Sequence, residues 1–287
     1  HESTGHVIRY LAGGMLRRGL WVSKSDGDGW VEDLQFNPHY ALRLPDDLPR
    51  PQLSEDAGRR LIDYEREHLE GVVFGRCARE HVRRTFLYAA YDGIAFRDDG
   101  GGTSARVVMH GTDTASRAAV LERAGAGGLD FINAQLVPLG DWVVGALIVG
   151  ASFDGEARFF NSQVWAGPLT GRLSGTGRVV VQQMNTRSGG LDLLGGRATL
   201  DAVNFSSALE PHVSAGEGVA EAVVRSCTSE HGLLRMDNRA GERCRFLAGG
   251  CSLLGGMPAI DAPARFRQGW ETPEARNSAF EVAAEGG

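Results

Sequence analysis

Lysine is nearly missing from this chain. Lys24 is the only one among 30 basic residues, and the rest are arginine. Arginine suits carboxylate and sugar-acid recognition better than lysine does, because its planar fork matches a carboxylate. A positive excess is also lacking: 36 acidic residues outnumber the basic ones, and the formal net charge is −6. That balance excludes a strongly basic nucleic-acid binder. No apolar run reaches the roughly 20 residues that a spanning helix needs, so a membrane partner is not expected. Cysteine is sparse, and none of Cys77, Cys227, Cys244 and Cys251 forms a CxxC pair. A zinc ribbon is thereby excluded, and His110-Gly111-Thr112-Asp113 offers no metal-ligand partner nearby. The nucleophile elbow GxSxG, the P-loop and a complete GxGxxG opening a helix are all absent, so nucleotide binding is set aside. No cofactor and no metal are expected. The chain opens at His1 without a signal-like stretch, which reads as a mature or fragment N-terminus. Secretion or a periplasmic location is the matching expectation.

What the chain has in quantity is glycine, with 40 in 287 residues, about twice the usual roughly 7% share. Combined with short β-branched runs, this points to a turn-dense β protein. A step of 20 residues yields an apolar column: Phe153, Leu173, Leu193, Val213, Leu233, Leu253. A second reads Phe160, Val180, Leu200, Ala220, Ala240. Leu193-Leu194-Gly195-Gly196 recurs as Leu253-Leu254-Gly255-Gly256, and Phe131-Ile132-Asn133-Ala134-Gln135 echoes in Phe159-Phe160-Asn161-Ser162-Gln163. Such a period is too short for two helices and a turn, and it fits three short strands joined by tight turns. One coil cannot bury its inward face alone, whereas stacked coils can. The expected fold is all-β, a single-stranded right-handed parallel β-helix with coils of about 20 residues. The hand follows the general preference of parallel crossovers.

Residues 1–256 are assigned to this domain. Residues 15–44 form an early coil, in which Gly19 to Val22 and Trp30 to Phe36 are strands flanking a turn at Ser25-Asp26-Gly27-Asp28-Gly29. Proline-rich residues 45–51 then open an insertion over 45–70. Within it Ser54 caps a helix near 53–70 that Gly71 ends. Residues 257–287 lose the repeat and are expected to cap the stack or run irregularly over its end.

The apolar columns, the strand-Asn pattern at Asn133, Asn161 and Asn204, and Tyr91-Asp92-Gly93-Ile94 entering a strand resemble the pectin-lyase-like superfamily of β-helices. The resemblance covers about two thirds of the chain and concerns architecture. It implies action on polysaccharides, since most members are hydrolases, lyases, epimerases or fructotransferases, and others are tailspikes and adhesins. The paired aspartates of polygalacturonases are not found here, nor is a calcium-aspartate cluster with a catalytic arginine. The enzyme class therefore stays open.

Glycosidic hydrolysis needs two carboxyls on neighbouring coils. The candidates are Glu32, Asp33, Asp92 and Asp130, with Asp113 and Asp201 behind them. His39 is a candidate general base in Phe36-Asn37-Pro38-His39-Tyr40. Tyr40, Trp30 and Trp165 are candidate sugar platforms, with Arg97, Gln135 and Gln163 as polar contacts. The amides have a plainer reading as a stacked ladder or left-handed turn residues. Likewise the glycine-flanked aspartates read as turn formers, and the tryptophans as core or interface. Three functions compete. One is a polysaccharide-active enzyme cleaving or transferring glycosidic bonds. The second is a non-catalytic carbohydrate-binding or trimeric tailspike-like module, and the third is one domain of a larger enzyme.

Overall fold

The computed structural model describes residues 4–42, 53–140, 143–167, 169–207, 211–231, 234–251, 259–261, 264–268 and 279–284. Strands stack in parallel as a β-solenoid of about nine turns, and one long helix interrupts them. The coils present three faces. Face A is built on strands such as Glu156–Phe160 and Arg178–Gln182. Face B follows through Gln135–Pro138 and Gln163–Val164. Face C closes the coil through Gly145–Val149 and Gly171–Leu173.

Each face contributes an interior column. On face A the column runs Ile8, Val31, Val82, Val107, Phe131, Phe159, Val181, Leu200, Val224, Ala248. All but the first are buried. Phe131 and Phe159 stack with ring centroids 4.5 Å apart. A coil adds one residue to each column, so burial accumulates only through stacking.

Successive members of this column lie 19 to 28 residues apart, except for one step of 51 that contains the helix. The 20-residue spacing is therefore local. Leu173 does pair with Leu193, but Leu193 pairs next with Ala215, while Val213 sits over Leu191. Phe153 is buried outside the strands. Leu233, Leu253 and the second Leu-Leu-Gly-Gly lie outside the described residues. The second sequence column breaks at once, because Phe160 pairs with Gln182 and Val180 with Thr199. The 28-residue echo is a true register, with Phe131 on Phe159 and Gln135 on Gln163.

The corner between faces A and B holds the regularity that the spacing hides. Ten successive coils place one residue there in the left-handed region: Tyr10, Asp33, Arg84, Met109, Asn133, Asn161, Gln183, Ala202, Ser226 and Gly250, with φ between 45° and 59°. Asparagine tolerates this backbone better than most side chains do. Asn161 adds an amide rung by donating Nδ2 to Asn133 Oδ1 at 2.8 Å.

Two local expectations change. Ser25 to Gly29 is strand within Ser25–Phe36, where a register shift between Ser25 and Asp28 absorbs the glycines. The helix spans Glu55–His68 with Ser54 as N-cap, its hydroxyl accepting from Ala57 N–H. It ends at Leu69, whose extended backbone starts the next strand, and not at Gly71. Toward the C-terminus the strands Ala264–Gln268 and Ala279–Ala284 pair antiparallel, and the second also pairs antiparallel with Arg245–Gly249. Parallel stacking on face A stops there. No described helix is long and apolar enough to cross a membrane.

Candidate functional site

The acidic candidates on face A are tied to arginines of neighbouring coils. Glu32 meets Arg9 at 2.8 Å and Arg83 at 3.7 Å, and all three share one register column. Asp33, at the left-handed corner, accepts two bonds from Arg84 at 2.7 and 2.8 Å. Those bonds hold its carboxyl below the usual range. Asp130 accepts from Arg158 Nε and lies 4.0 Å from Arg106, both in its own column. Opposite charges directly across strands stabilise a sheet, and these pairs do so coil by coil. Trp30 is half-buried and stacks on His81 with centroids 4.2 Å apart. His39 and Tyr40 lie in a helical turn, His39–Leu42. Asn37 Oδ1 caps it by accepting from His39 N–H at 2.9 Å. Tyr40 donates its hydroxyl to Gln35 Oε1 at 2.9 Å.

Asp92 and Arg97 do come together, in a cavity of about 660 Å³ beside the end of the helix. Arg18, Glu70, Asp92 and Arg117 form one register column along face C. Arg117 grips Asp92 through Nε at 2.6 Å and Nη2 at 2.8 Å, and its guanidinium lies 4.4 Å from the Tyr91 ring centroid. Arg97 Nη2 donates to both Asp92 and Glu70, and its Nη1 to Glu122. Burial pushes the Asp92 carboxyl up more than Arg117 and Arg97 pull it down. Asp92 is fully buried and both its oxygens are engaged, whereas Glu70 keeps a quarter of its side chain exposed.

Three other candidates converge on face B. Gln135, Gln163 and Trp165 line a groove of about 480 Å³ together with Asn185, Arg187, Asn204 and Glu230. Gln135, Gln163, Asn185, Asn204 and Thr228 are one register column. Trp165, Arg187, Ser206 and Glu230 stand two residues further along the same coils. Coils repeat at about 4.8 Å, close to the length of one pyranose ring in an extended chain. Glu230 accepts from Asn204 Nδ2 at 2.7 Å, and Asn204 Oδ1 accepts from Thr228 Oγ1 at 2.7 Å. The amide bond, followed by one from Ser206, keeps Glu230 below the ordinary carboxylate range.

The groove is thus rich in donors and acceptors, carries an aromatic plate and a guanidinium, and has one carboxylate held ionised. Such a surface can bind hydroxyls along an extended chain and stack a ring face.

Asn185, Arg187, Ser206 and Glu230 were missed from sequence. Their signal is positional, since they stand two and four residues beyond the left-handed corner of their coils. The described residues contain no group of three or more His, Cys, Asp or Glu arranged to hold a metal. No family model matches the chain, and no match is found among curated proteins or solved structures.

Proposed function

We propose that this chain is a polysaccharide-recognising β-solenoid that lays an extended saccharide along face B. The single observation behind this reading is the pair of outward columns, amides at Gln135, Gln163, Asn185 and Asn204 beside Trp165 and Arg187. Amides pair with hydroxyls in both directions, and a ring-per-coil match lets successive sugars meet equivalent contacts. On this reading the pectin-lyase-like resemblance extends from architecture to substrate class, and the site of action is outside the cytoplasm. The test is calorimetric titration against a panel of neutral and acidic oligosaccharides. Trp165→Ala is expected to weaken the best ligand about tenfold, equivalent to about 1.4 kcal/mol. An unchanged affinity in that variant, or silence across the panel, removes the proposal.

A second reading, glycosidic cleavage, is favoured by the carboxyls of Glu70 and Asp92 on adjacent coils, which accept from one nitrogen of Arg97 beside Tyr91. Cleavage requires two carboxyls flanking the scissile bond; in this pair Glu70 is the accessible one, and Asp92 would act only once freed from Arg117 and Arg97. A reducing-end assay comparing the native chain with Glu70→Gln decides it, because cleavage that survives the substitution excludes this pair.

A further inference from the structure

Two of the four cysteines stack on one another. Arg225 pairs with Gly249 at the end of the last parallel pairing on face A. The next residues, Ser226 and Gly250, are the left-handed corners of those two coils, at φ 52° and 59°. Ser226 N–H donates to Gly249 O at 3.0 Å. One residue beyond each corner the chain points inward. Cys227 and Cys251 therefore hold successive places in the interior column that runs through Ala134, Ser162, Met184 and Val203. The other two thiols have no cysteine in register: Cys77 pairs with Ser25, and Cys244 stands just before the strand Arg245–Gly249.

Stacked strands lie about 4.8 Å apart, inside the roughly 4.4–6.8 Å that a disulfide spans between its α-carbons. Both side chains leave the backbone toward the same interior, and the two thiols hydrogen-bond each other. Each also lies near backbone carbonyls. Cys227 Sγ is 3.3 Å from Arg225 O and 3.7 Å from Leu200 O, and Cys251 Sγ is 3.5 Å from Gly249 O and 3.9 Å from Val224 O.

The pair is asymmetric. Cys227 is fully buried, whereas Cys251 is half-buried. The bond from Cys227 draws Cys251 down to about 7 against the effect of burial. The same bond, with burial, pushes Cys227 far up. A thiol that titrates near ambient pH is an efficient attacker in disulfide exchange. Cys77 and Cys244 are both buried, and burial above all pushes them up to about 12 and about 11.

We propose that Cys227 and Cys251 are a redox-active dithiol, which a low-molecular-mass disulfide converts into a bridge between the last two parallel coils of face A. The Cys251 thiolate attacks one sulfur of the small disulfide, forms a mixed disulfide and expels the first small thiolate. Cys227 loses its proton as its sulfur attacks Cys251 Sγ, and the second small thiolate leaves. Two protein thiols become one disulfide, and two electrons pass to the oxidant, which ends as two small thiols. The bridge ties the coil of Arg245–Gly249 to the coil of Val213–Arg225 and closes a loop over residues 227–251.

The test treats the full chain with glutathione disulfide, blocks remaining thiols with iodoacetamide in denaturant and maps the peptides by mass spectrometry without reduction. A linked Cys227–Cys251 peptide is expected, with Cys77 and Cys244 alkylated, and dithiothreitol restores four thiols. In the native reduced chain, Cys251 is expected to alkylate at least tenfold faster than each of the other three cysteines. Cys227→Ser, a residue that the column already holds at Ser162, is expected to stop the reaction with one glutathionyl group on Cys251. Thermolysin cleavage between residues 230 and 250 is expected to slow at least tenfold in the bridged chain. Four thiols surviving the oxidant, or a bridge that includes Cys77 or Cys244, overturns the pair. A glutathionyl group left on Cys251 of the native chain also overturns it, because Cys227 is then out of reach. An unchanged cleavage rate in a chain that carries the bridge overturns its role in tying the coils.

Discussion

Glu65 supplies the sharpest thermodynamic test. It sits on the helix Glu55–His68 with only 1% of its surface exposed. Neither carboxylate oxygen finds a hydrogen-bond partner among the described residues. Loss of hydration raises its pKa from the ordinary 4.5 to about 8. Below pH 4.5 the folded and unfolded chains both carry the proton, and the group is neutral to stability. Between pH 4.5 and 8 the unfolded chain ionises while the folded chain keeps its proton. Folding then takes up one proton, and stability falls by about 1.4 kcal/mol per pH unit. By pH 8 the accumulated loss is about 5 kcal/mol, and it stays level beyond. Glu65→Gln keeps the shape and removes the titration. Urea unfolding at pH 4, 6 and 8.5 is expected to show equal stability within about 1 kcal/mol at pH 4. At pH 8.5 the variant is expected to lead by several kcal/mol. A difference independent of pH, or a native chain more stable at pH 8.5, refutes the argument, because either result means that Glu65 is solvated or paired.

Arg117→Ala strands the buried Asp92 with Arg97 alone and is expected to cost about 3 kcal/mol in denaturant unfolding, the lower end for breaking a buried pair. A loss below about 1 kcal/mol contradicts a structural role for this network. Asn161→Ala puts a Cβ-bearing residue without a local hydrogen bond at φ 45° and breaks the rung to Asn133. The expected cost is about 2 kcal/mol. Asn161→Gly, which fits the corner, is expected to recover about half, and equal losses in the two variants exclude backbone strain as the cause.

The fold was legible because one requirement recurs in every coil. Aromatic-x-Asn-x-Gln at residues 131–135 and 159–163 marks a strand, a left-handed corner and the next strand, and these segments do lie in register. The exact period was not legible. Loops of different length separate the coils, so the fixed step of 20 that aligned Leu173 with Leu193 failed at the next coil. The turn expected at Ser25 to Gly29 failed because glycines that usually mark turns here accommodate a bulge. Of the site, Gln135, Gln163 and Trp165 converged through their shared register. Asp92 and Arg97 converged through the insertion, which brings Glu70 alongside. Asp33 stood out as a carboxylate in an apolar strand, with Glu32 and Asp130 as carboxylates on or beside strands, but sequence alone hides their partners. Arg9, Arg84 and Arg158 lie 23 to 51 residues away and meet them only because the coils stack.

The corner column also shows why faces A and B have diverged. One and three residues beyond each corner the chain points inward, as at Ala134 and Leu136, Ser162 and Val164, Met184 and Thr186, Val203 and Phe205, Cys227 and Ser229, all buried. The fold spends these positions on the interior, and the residues between them carry no core duty. On face A part of the outward positions is filled by carboxylates and arginines that pair across coils, and the middle coils carry Val108, Ile132, Phe160 and Val180 there. On face B the same freedom is used for amides, a tryptophan, the Glu230 carboxylate and Arg187, whose charge acts on Glu230. On the proposed reading, face B is favoured as the recognition surface because its outward column keeps amides at Gln135, Gln163 and Asn185 beside Trp165 and Arg187 in one groove, even though Asn204, Thr228 and Glu230 bond one another there.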